Sequence, residues 1–270
     1  MILSHRTRIA LRAATVLGLA VVYLPLLLVL VNSFNRDRSF AWPPTGFTTE
    51  WWVRAWQSEG ARSALVSSLQ AGAGATLVAL VLGTMTAFAV QRYRFFGRQA
   101  VSFLVILPIA LPGIVTGIAL NAAFRTVLGP AGIGFGLLTV VIGHATFCVV
   151  VVFNNVLARL RRLAPSAEEA SADLGAHTFQ TFRYVTFPAV RSALLAGGLL
   201  AFALSFDEIV VTTFTAGPAV QTLPVWIYAN LARPNQAPVV NVVAAVLVLL
   251  SVVPVYLAQR LSADSAGGRL

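Results

Sequence analysis

Residues 64–90 read ALVSSLQAGAGATLVALVLGTMTAFAV, an uncharged run bounded by Arg62 on one side and Arg92 on the other. The hydrocarbon core of a bilayer takes roughly 20 helical residues to cross, and this run is long enough. In lipid every backbone N–H and C=O needs an internal partner, which a single long apolar run can supply only as a helix. A β-barrel would instead show short segments of alternating polarity separated by turns. The pattern recurs along the chain, and spans are expected over 13–31, 64–90, 101–124, 137–157, 192–214 and 239–259. With 58% hydrophobic and 10% charged residues, the chain reads as an all-α integral membrane protein with six transmembrane helices.

The net charge of +10 does not point to nucleic acid, because the arginines are placed by the membrane. An even number of spans puts both termini on one side. That side collects Arg6, Arg8, Arg12, Arg92, Arg94, Arg98, Arg159, Arg161, Arg162, Arg183, Arg191, Arg260 and Arg269. Positively charged residues near span ends mark the cytoplasmic face, so both termini are expected in the cytoplasm. The same arginines suit anionic headgroups of the lipid bilayer. No basic patch with interleaved aromatics is present, so no nucleic-acid partner is expected. The first span has a basic leader but is long for a signal peptide and lacks a small-x-small cleavage site, so it reads as a retained anchor. Three parts are expected: residues 1–62 with the first span and an outer loop, a five-helix core over 63–262 with a cytoplasmic loop at 158–191, and a cytoplasmic tail over 263–270.

In the outer loop, Thr49 is expected to cap a short helix, and Trp51, Trp52 and Trp56 to form an interfacial aromatic belt. Pro108 and Pro112 should bend the third span, with Gly113 and Gly117 spaced for close helix contact. His144 lies inside a span, where a neutral, hydrogen-bonded packing role is cheaper than a charge. No second His, Cys or carboxylate stands at ligand spacing from it, so no metal site is expected, and lone Cys148 reads as core packing. The chain contains no lysine, which excludes a P-loop in this polypeptide. No catalytic constellation and no cofactor of its own are expected. No internal repeat is visible, which argues against an autonomous secondary carrier.

Residues 166–188 form the polar interruption before the fifth span. Ser166 and Glu169 have the spacing of a capping box, Ala170 and Leu174 lie one turn apart, and Gly175 is a natural helix stop. The chain should restart near Thr178 and run to Pro188, where the cytoplasmic segment should end. Glu169-Ala170-Ser171-x-x-x-Gly175, then nine residues, then Val185-x-Phe187-Pro188 resembles the EAA loop of ABC-importer permeases. Ser171, Val185 and Phe187 depart from that consensus with small or apolar character kept. Phe202-Ala203-Leu204-Ser205-Phe206-Asp207-Glu208-Ile209-Val210, with Gly217-Pro218, Leu223-Pro224 and Ile227-Tyr228, is similar to the second permease of spermidine/putrescine-type importers. The resemblance implies a type I ABC-importer permease fold. It also implies a second permease subunit, two ATPase subunits holding ATP and Mg, and an extracytoplasmic binding protein as partners. In that family the EAA loop forms a coupling helix seated on the ATPase, a role that falls here on Glu168, Glu169, Ala170, Ser171, Asp173 and Gly175.

Asp207 and Glu208 are the only acids inside an expected span. Each costs on the order of 2.5–3.5 kcal/mol at a bilayer centre, so each needs a partner or a water-filled path. In a continuous helix Ser205, Glu208, Thr212 and Thr215 would form one polar stripe, with Asp207 turned about 100° away. Trp226 and Tyr228, after Pro224, are candidates for a gate, and aromatic faces favour ammonium groups. The substrate expected from the resemblance is a polyamine, with an aminophosphonate, another small organic cation or a metal complex as alternatives. Glu169→Arg is expected to leave membrane insertion intact and abolish ATP-driven uptake, as measured with labelled solute in membrane vesicles.

Overall fold

The computed structural model describes residues 4–38, 42–164, 166–233 and 235–250. Among these the elements are helical: α1 (His5–Asn32), α2 (Glu50–Gln57), α3 (Glu59–Arg92), α4 (Arg98–Ala110), α5 (Gly113–Val127), α6 (Leu137–Leu160), α7 (Ser166–Asp173), α8 (Thr178–Thr181), α9 (Phe187–Phe206), α10 (Val210–Thr215) and α11 (Leu223–Leu231), followed by α12 (Ala237–Leu250). Helices α1, α3, α6 and the run Thr178–Phe206 are each long and apolar enough to cross a membrane. Helices α4 and α5 together make a fifth such length. Of the expected sixth span, 239–250 falls in α12. Its remainder, Arg260, Arg269 and the expected tail over 263–270 lie outside the described residues.

The chain divides into two compact units, at Arg62/Ser63 and at Val225/Trp226. The stretch from Trp226 therefore groups with the N-terminal residues rather than with the expected core. In the first unit, α1 buries none of its residues and is capped by Ser4, whose hydroxyl accepts the Thr7 N–H at 3.2 Å. The loop after it is tied by an isolated antiparallel bridge between Asn35 and Phe47. Trp51 is buried and donates its indole N–H to the Asn35 carbonyl at 2.9 Å. Trp52 stacks on Phe34 with ring centroids 5.1 Å apart. The expected aromatic belt thus shrinks to Trp56, which is 75% exposed, because the other two indoles fold the loop. The cap also shifts: Thr49 makes no side-chain bond, and the Thr48 hydroxyl accepts the Glu50 N–H at 3.2 Å.

In the second unit α6 is the central helix, with Val152, Phe153, Val156 and Leu160 buried among Ala75, Ala79 and Ala87 of α3 and Val190 and Ala201 of α9. With Gly83 between the last two, these alanines mark one-turn intervals along α3, and small residues let helix backbones approach in lipid, where apolar area alone drives nothing together. A side chain at Gly83 would place its Cβ 2.9 Å from the Val149 carbonyl oxygen, so α3 and α6 approach there backbone to backbone.

The third expected span is broken rather than bent. Helix α4 ends at Ala110, Leu111 is extended (φ −85°, ψ 144°), and α5 starts after Pro112 at 108° to α4. A proline pushes the residue before it out of the helical region and cannot donate to the preceding turn, so Leu111-Pro112 ends one helix and starts another. Pro108 stays within α4.

Both glycines of α5 face α10. A Cβ on Gly117 would lie 2.5 Å from Cδ2 of Phe214, and one on Gly113 would lie 3.6 Å from Val210. Gly143 of α6 presents its bare backbone to Val211 and Thr215 of the same short helix. Gly117→Ala is expected to destabilise the chain by about 1–3 kcal/mol through overpacking, read as a lower unfolding midpoint in detergent. Gly134→Ala, with open space at its Cβ, should leave the midpoint unmoved.

Candidate functional site

The fifth expected span stops early. Helix α9 ends at Phe206, Asp207 to Ile209 leave the helix, and α10 resumes at Val210 for six residues. Exposed backbone groups at such a break are costly in lipid, and here side chains take them up. Just before α10 the Glu208 carboxylate accepts the Val211 N–H at 2.9 Å and so takes up one of the free amides of its first turn. The Glu208 carbonyl accepts the Thr212 hydroxyl at 2.7 Å. At the far end Asn121 donates to the Phe214 carbonyl at 2.6 Å, and Thr139 donates to the Thr215 carbonyl at 2.7 Å. Helices α5 and α6 therefore supply both the glycine notch that admits α10 and the donors that close it.

His144 joins the two sides of the break. Its Nδ1 lies 2.7 Å from Ser205 Oγ at the end of α9, and its Nε2 lies 2.8 Å from Thr212 Oγ1 in α10. The Thr212 hydroxyl proton is committed to the Glu208 carbonyl. One neutral tautomer then satisfies the network: Nε2–H donates to Thr212, and Nδ1 accepts from Ser205. All three side chains are buried.

These contacts replace the expected single-helix stripe. Ser205 and Thr212 do converge, but through His144 across a break and not by helical register. Glu208 is half-buried at the break, Asp207 is exposed, and Thr215 turns inward to donate to the Val211 carbonyl at 2.8 Å. The three non-helical residues reset the rotation, so the angle of about 100° expected between Asp207 and Glu208 does not apply. Trp226 and Tyr228 lie in the other unit, on α11. Trp226 is buried beside Gly60, whereas Tyr228 is 71% exposed.

The segment from Ser166 to Pro188 is ordered by polar side-chain contacts and a glycine stop. Ser166 is the first residue of α7 rather than its cap, and the expected reciprocal bonds with Glu169 do not form. Gly175 adopts φ +83°, with its N–H on the Ala172 carbonyl at 2.9 Å and the Ala176 N–H on Ser171 at 3.1 Å. This double bond pattern is a Schellman stop, which favours glycine at the left-handed position. Glu169, Ala170 and Asp173 are exposed, and Leu174 just past the helix is 89% exposed. Glu168 and Ser171 turn the other way. Glu168 accepts from Arg92 at the end of α3 and from the Thr186 hydroxyl at 2.7 Å, and Ser171 meets Thr181 at 3.0 Å.

The helix is not interrupted at Pro188. A continuous helical run passes from Thr178 through Phe206, and the missing proline N–H is absorbed by a π-helical turn over Phe182–Thr186. There Phe187 donates five residues back to Phe182.

Asn121, Thr139, Arg92 and Thr186 were not singled out as site residues by sequence reasoning. Each acts on a residue 18 to 93 positions away, so no local spacing announces it. Only the buried histidine carried a signal, as an ionisable group inside an apolar run. His144→Leu is expected to leave the Ser205 hydroxyl without its partner and to cost about 1–3 kcal/mol. The readout is the thermal unfolding midpoint of the purified chain; an unshifted midpoint would mean that the break closes without the imidazole.

Residues 79–265 match the family described as the binding-protein-dependent transport system inner membrane component. The chain is 34% identical over 249 residues to the spermidine/putrescine transport system permease protein PotC of Escherichia coli (strain K12), covering 92% of each chain. It is 33% identical over 235 residues to the putrescine transport system permease protein PotI of the same organism, covering 86% of this chain and 83% of the relative. Its fold is similar to a chain in the crystal structure of a bacterial ABC transporter involved in import of the acidic polysaccharide alginate, with a TM-score of 0.68 at 16% identity over 98% of this chain and 99% of the other. With its multiple apolar helices, its broken fifth span and this likeness over most of its length, the chain is a multi-pass membrane protein belonging to the family of binding-protein-dependent transport system inner membrane components.

Proposed function

We propose that this chain is a permease subunit of an ATP-binding-cassette importer that carries a polyamine such as putrescine or spermidine. The observation that carries the substrate class is the likeness, over 92% and 86% of the chain, to permeases of spermidine/putrescine and putrescine transport systems. The chain works without chemistry of its own. Its partners are a second permease, two ATPase subunits that bind ATP and Mg²⁺, and an extracytoplasmic binding protein that delivers the solute. Both termini face the cytoplasm, in line with the arginine distribution.

The exposed side of α7, with Glu169, Ala170, Asp173 and the adjoining Leu174, is the face available to an ATPase. ATP-driven approach of the two ATPases moves the coupling helices, opens the outer side of the path and accepts solute; hydrolysis resets the path inward. Such a switch needs only a difference in affinity between two global states. Asp207 and Glu208 stand at the break of the path helix, where carboxylates attract ammonium groups. The Val211 amide occupies one acceptor position of Glu208, and an ionised carboxylate offers about four.

The test is reconstitution of the four kinds of subunit in proteoliposomes, with uptake of labelled putrescine and spermidine followed with and without ATP. ATP-dependent polyamine uptake is expected, reduced severalfold by Glu208→Gln. Uptake by this chain without the ATPase would instead indicate an autonomous carrier. Uptake confined to an aminophosphonate would overturn the substrate class.

A further inference from the structure

We propose that Arg92, Glu168 and Thr186 form a strut that ties the coupling helix to a hinge at the root of α9, so that displacement of α7 is delivered to the break carrying Asp207 and Glu208. The inference rests on the transport reading above and names residues of this chain through which that reading would act.

Glu168 is the node. One carboxylate oxygen accepts both the Arg92 guanidinium and the Thr186 hydroxyl, the latter at 2.7 Å. The Arg92 and Glu168 side chains are 27% and 25% exposed, so the pair is shielded from the solvent that weakens surface ion pairs. Charge-assisted bonds of this kind are about twice as strong as neutral ones. The carboxylate therefore faces into the chain, while Glu169 beside it faces out.

Thr186 closes the π-helical turn Phe182–Thr186 and is 5% exposed, the one buried residue of that turn. A single π turn has looser hydrogen bonding than an α-helix and recurs at functional positions. Here it stands between α8 and α9, whose far end flanks the break. On one side of the turn Ser171 holds Thr181; at its other end Glu168 holds Thr186. Helix α7 is thus fastened on both sides of the same hinge.

Between these fastenings lies an open cleft of about 490 Å³, lined among others by Phe88, Arg92, Glu168, Ala172 and Thr186. The alanines of α7 are all exposed, so polar contacts rather than apolar packing hold it in place. A helix held this way moves as a unit, and its motion either draws Thr186 along or breaks the shared carboxylate.

Two measurements test the strut. In the purified chain, amide hydrogen exchange over α7 should accelerate about tenfold or more in Glu168→Gln and in Arg92→Glu, the scale of losing a charge-assisted bond. The double variant Arg92→Glu/Glu168→Arg should return it toward the native rate, and α6 amides, unchanged, report that each variant folds. In the reconstituted complex, Arg92→Gln and Thr186→Val should lower solute moved per ATP hydrolysed several-fold, although neither residue lies on the outward face of α7. Native exchange in the single variants, or a charge swap no better than either reversal, would overturn the strut whether or not an ATPase docks. Loss of ATP-dependent uptake in the unaltered complex would instead count against the transport reading, which the exchange experiment does not depend on.

Discussion

A helix interrupted inside a membrane must find a partner for each backbone group that the interruption frees, and the second unit of this protein is arranged around that requirement. The break after Phe206 leaves the first amides of α10 and its last carbonyls without helical partners. Glu208 takes one amide, while Asn121 and Thr139 take the carbonyls of Phe214 and Thr215. His144 then fastens the end of α9 to α10 through two hydroxyls. In water such a six-residue helix would be marginal. Here neighbouring side chains do what solvent cannot.

Close approach is the second requirement, and glycine meets it. Donors on α5 and α6 reach the α10 carbonyls only because Gly117 and Gly143 let the short helix lie against bare backbone. The alanines at 75, 79 and 87 do the same for α3 against α6. Polar bonding and small-residue packing are thus one arrangement: the first needs the distances that the second permits. Leu111-Pro112, by contrast, breaks the preceding span by backbone chemistry alone, because a proline and the residue before it exclude the helix on their own.

Helix α7 follows a different logic, suited to its polar composition. Alanines are its only apolar residues, so it is ordered by hydroxyls, one carboxylate and a left-handed glycine. This leaves one side of the helix exposed and the other tied inward. The two adjacent glutamates show how far position on a helix divides chemistry: Glu169 is free to meet a partner, whereas Glu168 already has two inside the chain.

The amino-acid sequence by itself determined that the chain is helical and membrane-embedded, because span length and the absence of charge leave lipid no other backbone solution. It also determined the stop at Gly175 and the spacing of the motif over 169–188, both of which are local, and it marked a bend where Leu111-Pro112 in fact breaks the third span. What it could not display was the break at Asp207–Ile209, since the donors and bare backbone that hold α10 apart from α9 lie on α5 and α6. A continuous-helix reading accordingly drew Ser205, Glu208, Thr212 and Thr215 into one stripe. The inward turn of Glu168 was equally hidden, because its partners stand 76 and 18 residues away. Periodicity reports what a residue's own helix presents, and only tertiary structure decides which distant donor or acceptor meets it.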